Sequence, residues 1–309
     1  MVFTIALAFL LGFVLQRASL CTVASVDRWI NRGRADGVLG LVAAACAAGV
    51  VILGMAWVAP QVMELPQGLA VTPIVVLGGL LLGAGSLLNG GCFVGSIVRI
   101  SSGDLNFLAT LTGIALSGSM DWPMGSGSGD TSGIAPVHAP AAWPVAWMAY
   151  TAFVLATVVG ARRHLSSRPL TLGGRWPREL SLVATGLAGG AMLGSHPGWS
   201  YGAVLDFRPG APAWPEALLA AIALFAGAVL SARLAATFRL KPPTARHLAR
   251  CFLGGSIMGV GARLIPGGND TLLLWTVPGL ALHGLVAYAC MIVAIGLPML
   301  ATRRWITMR

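Results

Sequence analysis

Residues 78–95 read GGLLLGAGSLLNGGCFVG, and residues 254–271 read GGSIMGVGARLIPGGNDT. At a fixed offset of 176 residues, Gly78, Gly79, Gly83, Gly85, Leu88 and Gly91 fall on Gly254, Gly255, Gly259, Gly261, Leu264 and Gly267. Cys92 falls on Gly268. Each copy reads as an apolar helix ridged with glycine that stops at a Gly-Gly pair. Glycines along a helix let a second backbone come close, and the pair ends the helix. A matching break in both halves of an apolar chain points to a repeat architecture with discontinuous helices inside a membrane.

Composition agrees. The chain has 309 residues, 56% hydrophobic and only 10% charged, with a mean hydropathy of +0.81; about a quarter of a soluble domain would be charged. Apolar runs of roughly 20 residues, enough to cross a bilayer, recur from end to end. The net charge of +10 does not indicate nucleic acid, because the arginines sit in short loops between apolar runs, as cytoplasmic loops do. Cys21, Cys46, Cys92, Cys251 and Cys290 form no CxxC, zinc or paired pattern, and Cys46, Cys251 and Cys290 read as small buried hydrophobes. The N-terminus lacks a basic leader and a small-residue cleavage site, so it reads as mature sequence.

Long apolar segments lie near 2–15, 38–58, 73–89, 104–120, 142–162, 180–194, 214–236, 251–265 and 281–301, with shorter pieces near 18–30, 92–100, 198–206 and 269–276. Basic loops at 28–34, 162–178, 239–250 and the C-terminal tail are placed in the cytoplasm, and the loops 60–72, 121–141 and 206–216 outside. The repeats then face opposite ways. The expectation is an all-α polytopic membrane protein with about nine transmembrane helices, short re-entrant half-helices and two inverted structural repeats. Residues 1–141 form the first repeat, 142–178 a connecting transmembrane helix and cytoplasmic loop, and 179–309 the second. The N-terminus lies outside and the C-terminus in the cytoplasm.

Cys92 follows Gly90-Gly91 and opens the next half-helix, where free N–H groups and the helix dipole favour an anion and activate a thiol. The alternative is that Gly, Cys and Ser there serve close helix packing. If the stretch around Cys21 is one helix, Arg17, Cys21 and Ser25 share a face. Arg17 then faces a cavity or snorkels to the interface. In the second half, Pro197-Gly198-Trp199-Ser200-Tyr201-Gly202 breaks a helix near the position of Cys21, and Ser200 offers a hydroxyl. Pro266-Gly267-Gly268-Asn269-Asp270 precedes another helix, with Asn269 or Asp270 as its N-cap and Asn269 as a possible donor to a ligand. Asp270 would oppose an anion if turned toward it. The five histidines show no metal spacing, no cofactor motif is present, and no GxxxxGK loop occurs.

The combination QRASLC…D, GGxLxGxGxxLxGGCxxG, PGWSYGAVLD and GxGARLxxGxND resembles the YeeE/YedE family of sulfur-transport membrane proteins, over both halves of the chain. That resemblance implies an inverted-repeat fold in a bacterial inner membrane, importing thiosulfate or a related small sulfur-containing anion. It places Cys21 and Cys92 in a cysteine relay and Gly268 where the family carries a third cysteine. The departure leaves three outcomes: a two-thiol path, a different sulfur compound, or replacement by the N–H groups of Gly268 and Asn269. The path would comprise Cys21, Cys92, Gly91, Arg17, Ser200, Gly267, Gly268 and Asn269. A small cytoplasmic sulfur carrier of the TusA type is the implied partner. The alternative is a membrane-embedded sulfurtransferase or thiol-redox enzyme with Cys92 as nucleophile.

Overall fold

A computed structural model describes residues 1–120, 142–165, 174, 176–196, 199 and 214–307. Among these the chain is all-α. In order come α1 (Val2–Ala18), α2 (Thr22–Arg32), α3 (Asp36–Val58), α4 (Pro73–Asn89), α5 (Phe93–Ser101), a 3-10 turn (Leu105–Phe107), α6 (Leu108–Ser119) and α7 (Ala142–Leu165). Then follow α8 (Arg178–Ser195), α9 (Trp214–Leu234), α10 (Ala245–Leu264), α11 (Asn269–Thr271), a π segment (Leu272–Thr276) and α12 (Leu282–Thr307). Among the described residues, six stretches can cross a membrane by length and composition: Val2–Arg32, Asp36–Val58, Pro73–Ser101, Ala142–Arg162, Glu216–Leu234 and Leu282–Thr302. A seventh is the pair Ala245–Leu264 and Asn269–Thr276, bent by 54° at the Gly-Gly break. The protein is a polytopic membrane protein.

The repeat is visible in how the helices pack. α4 crosses α10 antiparallel through the glycine ridge. A Cβ on Gly78 would lie 3.0 Å from the Gly261 carbonyl oxygen, and one on Gly85 would lie 2.7 Å from that of Gly254. α4 also runs parallel to α12, with Gly79 against Ala287 and Gly83 against Met291. Its counterpart α10 runs parallel to α6, with Gly255 against Thr110 and Gly259 against Ile114. Likewise α1 lies along α9, joined by Phe13 beside Gly227 and Arg17 beside Ser231. α8 lies along α3, joined by Gly186 beside Ala44 and Gly190 beside Ala48. Near its start α1 meets the end of α8 through Thr4 and His196, so these two are antiparallel. α1 and α8, α3 and α9, α4 and α10, and α6 and α12 thus run opposite ways, each packed beside a helix of the other half. The inversion is built into the packing itself.

Two polar seams tie the basic segments down. Arg178 at the head of α8 pairs with Asp36 at 3.3 Å, and Arg34 lies 3.7 Å from the same carboxylate. On the other seam, Arg239 and Lys241 donate their backbone N–H groups to Ser102 and Gly103, both at 2.8 Å, and Lys241 pairs with Asp104 at 3.8 Å. The loop after α9 is thereby fixed to the far end of α5.

The glycine ridge carries a stability prediction. A Cβ on Gly254 would stand 2.7 Å from the backbone nitrogen of Asn89, a contact backbone cannot relieve by changing rotamer. Overpacking of this kind costs about 1–3 kcal/mol. Gly254→Val should lower the unfolding temperature in detergent, whereas Gly160→Val, with open space around that position, should leave it unchanged. Equal melting for both variants would show that the ridge is not tightly packed.

Candidate functional site

Cys21 and Cys92 meet. Their sulfurs are 3.9 Å apart, with the Cys92 thiol directed at Cys21, although 71 residues separate them in the chain. Both are N-cap residues, Cys21 for α2 and Cys92 for α5. Two helix N-termini therefore converge on one thiol pair, each bringing first-turn N–H groups that have no partner within the helix and the positive end of a dipole. The Gly95 N–H donates to the Cys92 sulfur at 3.4 Å, a thiol doing the work of a capping oxygen. Gly95 is also what admits Cys21, since a Cβ there would lie 2.7 Å from the Cys21 sulfur. Cys92 is wholly buried and Cys21 half-buried.

The turn before Cys92 is held by a polar cluster that the sequence reading passed over. Asn89, at the last position of α4, donates to the Gly91 carbonyl at 2.7 Å and to the Ser96 hydroxyl at 3.0 Å. It accepts from Thr110 of α6 at 2.7 Å. Ser96 in turn donates to the Cys92 carbonyl at 3.0 Å. All five residues are buried. An asparagine at the end of an apolar run looks like a helix stop, and only the fold shows it bridging α4, α5 and α6. On the Cys21 side, Thr22 shares a 3.1 Å hydrogen bond with Tyr288 of α12, another buried pair with no local signature.

The second half repeats the turn without the thiol. Gly91 N–H bonds to the Ser86 carbonyl and Gly267 N–H to that of Ala262; Ser96 N–H bonds to the Cys92 carbonyl and Leu272 N–H to that of Gly268. Cys92 has φ −78° and ψ −179°, and Gly268 has φ −78° and ψ 179°. A Cβ at Gly268 would lie 3.1 Å from the Phe93 ring and 2.5 Å from Asp270 Oδ1. The two breaks are therefore neighbours, joined through the residue that follows Cys92. Gly91 is buried, and a Cβ there would touch the Phe107 ring at 3.4 Å. Gly267 has φ +148°, a conformation that side chains rarely adopt.

Three sequence expectations need correction or fall outside the described residues. The stretch around Cys21 is not one helix. α1 ends at Ala18, Ser19 takes a left-handed φ of 48°, and α2 starts at Thr22, so Arg17, Cys21 and Ser25 share no helical face. Arg17 donates to Ser231 at 3.0 Å and to the Gly174 carbonyl, and stacks on Phe13 and Trp176, while Ser25 packs on Gly37 of α3. Neither Asn269 nor Asp270 is the N-cap of α11; Gly268 is, and Asn269 is buried inside the first turn. Ser200 and Tyr201 lie outside the described residues, and Trp199 donates its indole N–H to Ala217 of α9 at 3.3 Å.

No curated protein matches the chain. A family model described as sulphur transport matches residues 17–297, a span that takes in both breaks, both thiols and the crossing of α4 on α10. The chain belongs to the YeeE/YedE sulphur transport family.

Proposed function

We propose that this protein imports thiosulfate, or a closely related small sulfur-containing anion, along a narrow central path lined by the Cys21 and Cys92 thiols and by half-helix N-termini. One observation carries the reading: a buried thiol and a half-buried one, 3.9 Å apart, at the positive ends of two helices. Thiosulfate is a dianion, which such ends accommodate, and its terminal sulfur is large and polarisable, so S–H groups are tolerable neighbours. Uncharged donors hold an anion weakly enough to release it. Gly91 and Gly267 shape the breaks, and the N–H groups of Gly268 and Asn269 serve where the second half has no thiol. Ser200 belongs to the same path in this reading, and Arg17 adds positive potential beside it.

Residues 1–141 and 179–309 act as the two repeats and 142–178 as their connection. The protein sits in the bacterial inner membrane with its N-terminus outside and C-terminus in the cytoplasm, by the placement of its arginines. A small TusA-like sulfur carrier receives the anion there. The test is flux into proteoliposomes with a panel of thiosulfate, sulfite and sulfate. Selective thiosulfate entry is expected, and entry of no panel member would overturn the reading. A persulfide found on Cys92 by mass spectrometry during turnover would replace it with a sulfurtransferase.

A further inference from the structure

We infer that Asp270 is a proton-binding group that takes the place of the absent side chain at Gly268, and that passage of the anion is coupled to a proton bound there. The geometry starts from the empty half of the repeat. Gly268 copies the backbone of Cys92, yet the space its side chain would fill is taken by the Asp270 carboxyl, whose Oδ1 lies 2.5 Å from the Cβ position. That oxygen is buried and has no hydrogen-bond partner, and Asp270 as a whole is only 9% exposed. The neighbouring Asn269 Oδ1 is likewise buried without a partner. The backbone N–H groups of Asp270 and Thr271 reach the carboxyl, yet these two buried oxygens, both acceptors, are left without a donor.

An ionised carboxylate buried without a counter-charge is costly, and binding a proton removes that cost. No salt bridge reaches Asp270 among the described residues. Among the described elements packed closely against α11, α5 carries Arg99 in its last turn, over the Phe107 ring, and Cys92 at its N-cap, and the π segment carries none; α10, which leads into the break, carries Arg263 in its last turn. Intramembrane carboxyls of this kind mark proton relays.

The consequence rests on the transport reading above. An ionised Asp270 repels a dianion beside Phe93. A protonated one offers it an O–H where the first half offers an S–H. The proton is taken from water on the side of entry, giving the carboxylic acid, and returns to water on the side of release, giving the carboxylate. Anion and proton then move together, and one net negative charge crosses instead of two.

Two measurements on the full-length protein in lipid separate this inference from the transport reading. The first needs no anion. The infrared C=O band of a protonated carboxyl, followed against pH, should lose a component in wild type that Asp270→Asn lacks throughout; identical titrations would overturn the inference even if thiosulfate flux is intact. The second is flux of labelled thiosulfate with the membrane potential clamped at zero. A one-unit inward pH difference should raise wild-type accumulation about tenfold, as one coupled proton requires, and Asp270→Asn should lose this pH dependence. Accumulation that follows sodium and ignores pH would overturn proton coupling. Absence of any flux, with the infrared component present, would remove the transport reading and leave Asp270 as a proton site.

Discussion

Cys92→Ala should reduce thiosulfate flux roughly tenfold to a hundredfold while the protein remains folded. Hydrogen bonds to charged groups contribute about 1.5–3 kcal/mol, and each 1.4 kcal/mol is about a factor of ten. Alanine removes the thiol that faces Cys21 at 3.9 Å and the acceptor for the Gly95 N–H. The turn itself survives, because Asn89 and Ser96 hold it through the Gly91 and Cys92 carbonyls. Cys92→Ser separates the two losses. A hydroxyl caps the helix as well as a thiol does but is smaller and less polarisable, so it should restore stability more completely than flux. Cys46→Ala, in α3 and outside the pair, should transport normally. Flux undiminished in Cys92→Ala would end the thiol-path reading, and an equal loss in Cys46→Ala would point to general destabilisation.

How much of this was written in the sequence depended on whether a signal was local. The break at Gly90-Gly91 was legible because the pair closes an apolar run and the same pair closes the matching run at Gly267-Gly268; a Gly pair alone is no such signal, since Gly78-Gly79 and Gly254-Gly255 lie inside α4 and α10. The spans of α3, α4 and α9 could be read within a few residues because an apolar run of that length has few other uses. The runs 2–15 and 18–30 were read apart, but the place where α1 stops and Cys21 caps α2 was not legible. The segment QRASLCT contains neither glycine nor proline, and Ser19 adopts its left-handed turn in a setting of tertiary bonds, Gln16 to Ser102 and Arg17 to Ser231. Those partners lie 86 and 214 residues away, beyond any window that periodicity can use. The same distance hid the meeting of Cys21 with Gly95.

The inverted packing also explains why neither half can be regarded as a free-standing unit. α1 and α3 of the first half lie against α9 and α8 of the second, and α4 crosses α10 through glycine. Each repeat leaves its small-residue faces uncovered until the other arrives. Close backbone contact supplies van der Waals energy that lipid tails cannot match at such range. The reward for this interleaving is positional: the start of α2 is fixed against α5 at Gly95, and the start of α11 against Phe93 of the same helix.

Asn89→Leu should be the most damaging single change in the region. It is close in size to the native side chain, so the effect is not a cavity. Three buried partners lose their bond at once: the Gly91 carbonyl, the Ser96 hydroxyl and the Thr110 hydroxyl. Each buried polar group left unpaired costs about 1–3 kcal/mol, so the sum is several kcal/mol, a large part of what holds a protein folded. Ser96 keeps its bond to the Cys92 carbonyl, and Thr110 can turn to another acceptor, which places the expected loss in the middle of that range. The change should lower the unfolding temperature more than Cys92→Ala does, and flux should fall further because the turn carrying Cys92 loses its brace. Asn89→Asp discriminates the causes. It retains the acceptor for Thr110 but loses the donor to Gly91 and Ser96, so if the brace on the turn is what matters, its flux should resemble that of Asn89→Leu. Unfolding temperatures of both variants within a degree or so of wild type would show that the cluster is an accident of packing and that the turn is held by glycine geometry alone.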